Sequence, residues 1–322
     1  EEFIRNDLTG FKRLYLKDRE IKNLILMGDF LTETIFREER QDNIITRAEF
    51  EKRYENTVYK TETSLSEEMD IDPEYAALIV PTMVICKDFM DLFNAEALWM
   101  PGVSLLDGIA YDFGEKKNFI KSAHNFENDI LVAARNIAKR YSTGKDHIKG
   151  TTDLALAIFD SMKKVHGMGD RERLLLQIAV QLHDCGKYIS MGDVAECSYQ
   201  IIMATEIIGL STEERQIIAN AVRYNTTEFV YYSEIAGEVG MDRSVYLLIA
   251  KLTAILRIAN AMDRSHYQKV KNMKAMLKDR TLLLTVDSEQ DISLELGLLM
   301  DKVEFFEEVF GIRLVFRRKR KV

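Results

Sequence analysis

The chain is poor in cysteine, proline and tryptophan, with three, three and one in 322 residues, and each scarcity excludes something. The spacing of Cys86, Cys185 and Cys197 suits neither a disulfide framework nor a zinc knuckle, so a reducing cytoplasm is the expected setting. Positive charge is not in excess either. A formal charge of −8 argues against general nucleic-acid binding, because counterion release needs a basic face. The local exception, Arg317-Arg318-Lys319-Arg320-Lys321, is expected to be a solvated, fraying terminus. No window approaches the roughly 18 continuous apolar residues of a membrane span, and Glu1-Glu2-Phe3-Ile4-Arg5 is no signal peptide. An initiating methionine is also missing, which leads us to expect an internal piece of a longer protein. What is present, 47% hydrophobic and 30% charged residues, suits a globular protein of two or three domains.

Pro73, Pro81 and Pro101 all fall in the first third, so nothing after Pro101 breaks a helix as proline does. Residues 1–118 are expected to mix α and β, with a long helical body behind them. Asn23-Leu24-Ile25-Leu26-Met27 predicts a short buried strand, and Gly28-Asp29-Phe30-Leu31-Thr32 a turn into a helix through Phe36. A strand, a glycine and a helix start bring free N–H groups to one point, as a phosphate cradle requires, although a plain strand-to-helix turn has the same pattern. Asp72-Pro73-Glu74 opens a second helix with an N-cap and an N1 proline. Its predicted apolar face is Tyr75, Leu78, Ile79, Met83, Cys86, Phe89, Met90 and Phe93, with a kink at Pro81. Ala97-Leu98-Trp99-Met100 predicts another strand.

From about 125 to 267 the periodicity is helical throughout, enough for at least six helices. Leu174, Leu175, Ile178 and Leu182 share one face, and Ser211-Thr212-Glu213-Glu214 reads as a capping box. Thr281–Val286 and Ile312–Phe316 predict strands, Leu298–Phe310 a helix stopped by Gly311.

The chemistry concentrates in Gln181-Leu182-His183-Asp184-Cys185-Gly186-Lys187, which sets a His-Asp doublet at the end of an apolar helical run. His147 stands at the head of a preceding helix. Imidazole and carboxylate are the usual ligands of divalent metals, and such metals handle phosphate esters and anhydrides. A hydrogen-bonded helix-end pair, balanced by Lys187, is the plainer account of the same residues. His124, His166 and His266 look isolated, destined for core or surface.

This run resembles a known family when read with Ser198-Tyr199-Gln200-Ile201-Ile202, Ile218-Ala219-Asn220-Ala221-Val222-Arg223-Tyr224 and Leu256-Arg257-Ile258-Ala259-Asn260-Ala261-Met262-Asp263-Arg264-Ser265. It is similar to the HD-like helical domain of exopolyphosphatases and guanosine pentaphosphate phosphatases. Ile79-Val80-Pro81 with Val103-Ser104-Leu105-Leu106-Asp107-Gly108 resembles the end of that family's second actin-like domain, and Glu304–Gly311 its terminal element. The resemblance implies an α+β, predominantly α architecture. Residues 1–118 would form an incomplete actin-like (ribonuclease H-like) domain, 119–270 the HD-like helical domain and 271–322 a small α/β element.

The resemblance also implies hydrolysis of phosphoanhydrides, polyphosphate or guanosine pentaphosphate, with Mg²⁺ at a cleft between two actin-like domains. The catalytic half would precede Glu1, so this chain alone would hold no catalytic residue, supplying instead a polyanion-binding wall and part of a homodimer interface. The family's second phosphate loop aligns with Gly28 and Thr32; Asp29 and Phe30 depart from it, one by charge and one by bulk. Lys187, Arg223, Arg257 and Arg264 are the cations expected to face the polyanion. The rival reading is an autonomous HD-type metal phosphohydrolase. Its ligands would map onto His147, His183 and Asp184, with Asn260 where a carboxylate is wanted and Asp263 as a substitute. A non-catalytic regulator that binds polyphosphate or nucleotide is the third reading.

Overall fold

The computed structural model describes residues 2–16, 19–28, 30, 43–121, 124–235, 242–270 and 272–319. It divides into two compact units, Glu1–Ala123 and His124–Val322. Both combine helices with a small sheet, and helix predominates, as expected of an α+β chain.

The first unit contains α1 (Glu2–Phe11), continued by a wider helical turn at Lys12–Leu16, then β1 (Asn23–Ile25), β2 (Ile44–Thr46), α2 (Arg47–Thr57), α3 (Glu62–Met69), α4 (Pro73–Phe93), β3 (Ala97–Trp99) and α5 (Leu105–Lys116). The strands order β1-β3-β2, with β1 parallel and β2 antiparallel to β3. Ile45 and Leu98 lie opposite each other and are buried with Phe50 and the inner face of α4. Asp72 caps α4, accepting from the Glu74 N–H at 2.9 Å, and the helix runs through Pro81 to Phe93. Its buried stripe corrects the predicted one. Ala76, Ile79, Met83, Cys86, Met90 and Phe93 follow a 3-4-3-4-3 spacing, whereas Tyr75 and Leu78, each off that phase, are 56% and 51% exposed. The predicted helix from Gly28 to Phe36 falls almost wholly outside the described residues.

The second unit is built from α6 (Phe126–Arg140), α7 (Lys145–Ser161), α8 (Lys163–His166), α9 (Asp170–Leu182), α10 (Val194–Ala204), α11 (Thr212–Arg223), α12 (Tyr232–Ile235) and α13 (Arg243–Ala261), followed by β4 (Asn272–Lys278), β5 (Thr281–Asp287), α14 (Ser293–Phe310) and β6 (Arg313–Arg318). The capping box forms as read: Ser211 accepts from the Glu214 N–H at 3.1 Å, and the Glu214 carboxylate accepts from the Ser211 N–H at 2.8 Å. By length and composition alone α13 could cross a membrane, but here it is the central helix of the core, buried from Leu252 to Ala261.

The sheet orders β4-β5-β6, antiparallel then parallel, with α14 making the crossover between β5 and β6. Leu282, Leu284 and Val286 alternate inward and share one apolar core with the helices. Helix α14 starts five residues before the predicted Leu298, where Asp291 accepts from the Ser293 N–H at 3.1 Å. It stops at Gly311, whose φ is 62°. Arg317 and Arg318 do not fray as expected. They lie in β6, and Arg318 donates to the Ser288 and Gln290 carbonyls at 2.9 and 3.0 Å. Arg320 and Lys321 lie outside the described residues.

His166 is a core histidine, 1% exposed. Its Nδ1 accepts from the Met168 N–H at 2.9 Å, so Nε2 carries the proton and donates to the Phe159 carbonyl at 2.9 Å. Burial pushes its pKa down, opposed by that carbonyl and assisted by Lys251 and Lys163. The unfolded chain therefore binds this proton more readily. The stability that His166 provides is complete above the unfolded pKa of about 6.5 and is lost as pH falls from there toward the folded pKa. We expect denaturation midpoints to drop between pH 7 and pH 5, at up to about 1.4 kcal/mol per pH unit for one proton. In His166→Gln that part of the slope should vanish; an unchanged slope would exclude this proton as its source.

Candidate metal and phosphate site

Two helices deliver the histidines. His147 is the third residue of α7, and His183 is the residue that ends α9, with Asp184 immediately after it at the start of a tight turn through Tyr188. That turn is folded hard against α10. The Gly186 N–H donates to Ser198 Oγ at 2.8 Å, and the same hydroxyl donates to the His183 carbonyl at 3.4 Å. A Cβ on Gly186 would collide with the Val194 carbonyl oxygen and stand 2.6 Å from both Ser198 N and Oγ. Glycine is therefore required at 186 by close approach, not by backbone dihedral.

His147 and His183 are 2% and 3% exposed, and their Nε2 atoms stand 3.2 Å apart. Asp184 completes the group, Oδ1 at 3.6 Å from His183 Nε2 and Oδ2 at 3.9 Å from His147 Nε2. On the far side of each ring the hydrogen bonds determine the tautomer. His183 Nδ1 faces the Val180 carbonyl at 2.7 Å, an acceptor, so this nitrogen must donate. His147 Nδ1 faces Asp263 Oδ2 at 2.7 Å. Burial opposes ionisation of Asp263, but hydrogen bonds from His147 and Gln268 outweigh it and hold its pKa below the ordinary carboxylate value. Asp263 is thus an acceptor too, and His147 Nδ1 donates.

His183 consequently points its Nε2 lone pair into the gap it shares with His147 Nε2 and the Asp184 carboxylate. Burial pushes the His183 pKa down, only partly opposed by Asp184. A cation in the gap would meet both ring nitrogens. An ion about 2.1 Å from two nitrogens leaves them about 3.0–3.4 Å apart for octahedral to tetrahedral angles. The observed 3.2 Å falls inside that interval, and the three ligand atoms lie within 4.8 Å of one another. The donor set therefore fits a divalent metal, and its two imidazoles suit a transition metal better than Mg²⁺.

Lys187 donates to Asp184 Oδ2. Burial raises the Asp184 pKa, but His183 and the Lys187 ammonium outweigh it and keep the group ionised. Asp263, expected among the ligands, is instead the carboxylate behind His147. Gln268 secures it through an N–H to Oδ1 at 2.7 Å and a side-chain amide to Oδ2 at 3.2 Å. Asn260, where the HD pattern wants a carboxylate, is buried near the end of α13.

Among the described residues, none of the other expected cations makes a hydrogen bond or ion pair with His147, His183 or Asp184. Arg257 is buried and spends its guanidinium on the Tyr224 and Thr227 carbonyls at 2.7 and 2.6 Å, stacked over Phe305. Arg223 pairs with Glu196 at 2.9 Å and lies over Tyr199. Arg264 is exposed. Gly28 adopts a φ of 139° with open space where a Cβ would stand, while Asp29 and Thr32 lie outside the described residues. His266 is the residue that sequence reasoning passed over. Its ring stacks on His147 with centroids 3.7 Å apart and planes 8° from parallel, and burial, then His147 and Lys187, push its pKa down. Its place three residues after Asp263, in the turn that carries the carboxylate to His147, was the available signal.

The Ppx/GppA phosphatase domain III matches residues 132–304, which run from within α6 to within α14 and include every residue of this site. The chain belongs to the Ppx/GppA phosphatase family. The resemblance read from the His-Asp doublet and the segments downstream of it is thereby borne out. No curated protein matches the chain.

Because a carboxylate behind a ligating imidazole sets its tautomer and basicity, Asp263→Asn should lower affinity for Mn²⁺ or Zn²⁺ by about 10–100-fold. Calorimetric titration checks this; unchanged affinity would mean that His147 does not ligate through Nε2.

Proposed function

We propose that this chain serves a phosphoanhydride hydrolase of the exopolyphosphatase type, its helical unit holding the anionic substrate through a divalent cation on His147, His183 and Asp184 and through the Lys187 ammonium. Family membership supports the reaction class. The observation that carries the role of the helical unit is the convergence of two buried imidazole Nε2 atoms 3.2 Å apart, each ring anchored through its Nδ1, with one carboxylate. With Asp184 engaged by a cation, Lys187, 30% exposed at the rim, becomes free to meet a phosphate oxygen. When bound, the cation would act as a Lewis acid toward phosphate oxygen.

The rest of the proposal follows the family. Residues 1–118 belong to an actin-like domain, 119–270 to the HD-like domain and 271–322 to a terminal α/β element. Mg²⁺ accompanies phosphoanhydride hydrolysis in the actin-like part, polyphosphate or guanosine pentaphosphate is the substrate, and two chains pair. A second reading, hydrolysis at the helical unit itself, is favoured by the count of three protein ligands, which leaves coordination positions open as catalytic metal sites do.

One set of measurements separates these. Metal analysis of the purified chain should find one transition metal per chain, and His183→Ala should weaken metal binding at least about 100-fold while also weakening binding of polyphosphate. Phosphate release from polyphosphate and guanosine pentaphosphate is followed in parallel. Turnover by the chain that disappears in His183→Ala would replace the first reading with the second. Polyphosphate binding indifferent to both metal removal and His183→Ala would overturn the role given to this cluster.

A further inference from the structure

The turn between α13 and β4 carries Asp263, His266 and Gln268, and two of its residues are strained. His266 and Gln268 both have left-handed backbone, with φ of 59° and 47°, and neither is glycine. Each such residue costs free energy that its surroundings must offset. Towards α7 the turn is held by Asp263, which accepts from His147 Nδ1 at 2.7 Å, and by His266, whose ring stacks on that of His147. Gln268 closes the turn on itself, donating to Asp263 Oδ1 from its backbone N–H and to the His266 carbonyl from its side-chain amide, both at 2.7 Å.

The other side of the turn is fastened by one group on α14. Glu295, in the first turn of that helix, is 2% exposed. Its Oε1 accepts from the Ser265 hydroxyl, and Lys269 Nζ lies 3.4 Å from each of its two oxygens. Ser265 precedes the left-handed residues and Lys269 follows them, so a single side chain spans the strained stretch from outside. An apolar side chain of similar volume often serves stability as well as a buried charge pair or better. What a carboxylate adds is direction. Its two acceptor oxygens define where residues 265 and 269 stand, and therefore where 263, 266 and 268 point.

We propose that Glu295 is a positioning residue for His147. It holds the turn against α14 in the arrangement that brings Asp263 to Nδ1 and lays His266 along the ring, and so governs what Nε2 presents to the gap shared with His183 and Asp184. Among the described residues Glu295 makes no hydrogen bond or ion pair with His147, His183 or Asp184, so it acts through the turn alone. Its effect on metal affinity rests on the function proposed above, whereas its effect on the ring does not.

The test is solvent exchange of imidazole N–H protons, followed by NMR at one pH on the intact 322-residue chain in chelator. The His147 Nδ1 proton, bonded to Asp263, is the probe, and the His166 Nε2 proton, bonded to the Phe159 carbonyl away from the site, is the internal control. Glu295→Met keeps the volume and removes both acceptors. It should speed exchange at His147 at least about tenfold and leave His166 unchanged. Glu295→Gln, which keeps an acceptor for Ser265, should recover part of the protection. Unchanged exchange at His147 would overturn the proposal, and so would equal acceleration at both histidines, the mark of general loosening. If Glu295→Met does not fold, Ser265→Ala decides by the same criterion, with acceleration of about threefold expected at His147 alone. Calorimetric titration with Mn²⁺ should then show about tenfold weaker binding in Glu295→Met. A chain that takes up no Mn²⁺ while its His147 proton still responds to Glu295 would remove the metal role and leave the positioning role standing.

Discussion

The hydrogen bond from His147 to Asp263 is the constraint on which the candidate site depends. It joins the first turn of α7 to the turn after α13, 116 residues apart in sequence, in a place where neither group meets water freely. Once Asp263 accepts from Nδ1, Nε2 is the nitrogen left to face the gap, and in the neutral ring it presents a lone pair there. The Val180 carbonyl makes the same demand of His183. Chemistry at the centre is thus decided at the periphery by two acceptors that never enter it, which is how outer partners commonly determine what a metal ligand can do.

The fold supplies the rest by bringing helix ends together. The last buried residue of α9 hands the chain to His183 and Asp184, and the turn that follows can close only because Gly186 lets the backbone press on Val194 and Ser198. Much of α13 is enclosed, so its C-terminal turn emerges from the core in a fixed direction and carries Asp263, His266 and Gln268 with it. Stacking of His266 on His147 adds a third contact to a ring already held by Asp263. A ligand constrained from this many sides has little rotamer freedom left to lose on binding.

Much of this was legible in the sequence, for identifiable reasons. The His-Asp doublet, the capping box at Ser211 and the glycine stop at 311 are local signals, each set by chemistry within a few residues. Long-range partners are where the reading ran out. Asp263 was noticed as a carboxylate on the right helix, but which side of which imidazole it meets depends on how α7 and α13 cross. Arg257 looked like a phosphate cation because guanidinium suits phosphate; its burial under Phe305 and its two backbone carbonyls belong to packing that no local pattern announces. Strand β4 escaped for another reason. Met273, Ala275 and Leu277 alternate with Asn272, Lys274, Met276 and Lys278, a half-exposed pattern too polar to stand out beside β5.

Strand β5 lies between β4 and β6, so each outer strand turns one row of backbone donors and acceptors away from the sheet, and in the β6 row the Leu314 N–H already donates to Glu307 Oε1 at 2.8 Å. Such rows invite another chain to extend the sheet, the first step toward fibrils and aggregates. Here they carry Lys274 and Lys278 on one border and Arg313, Arg317 and Arg318 on the other, so any two copies meeting border to border bring like charges into register. In an acidic protein, the local excess of lysine and arginine at this sheet thereby guards it against polymerising with itself.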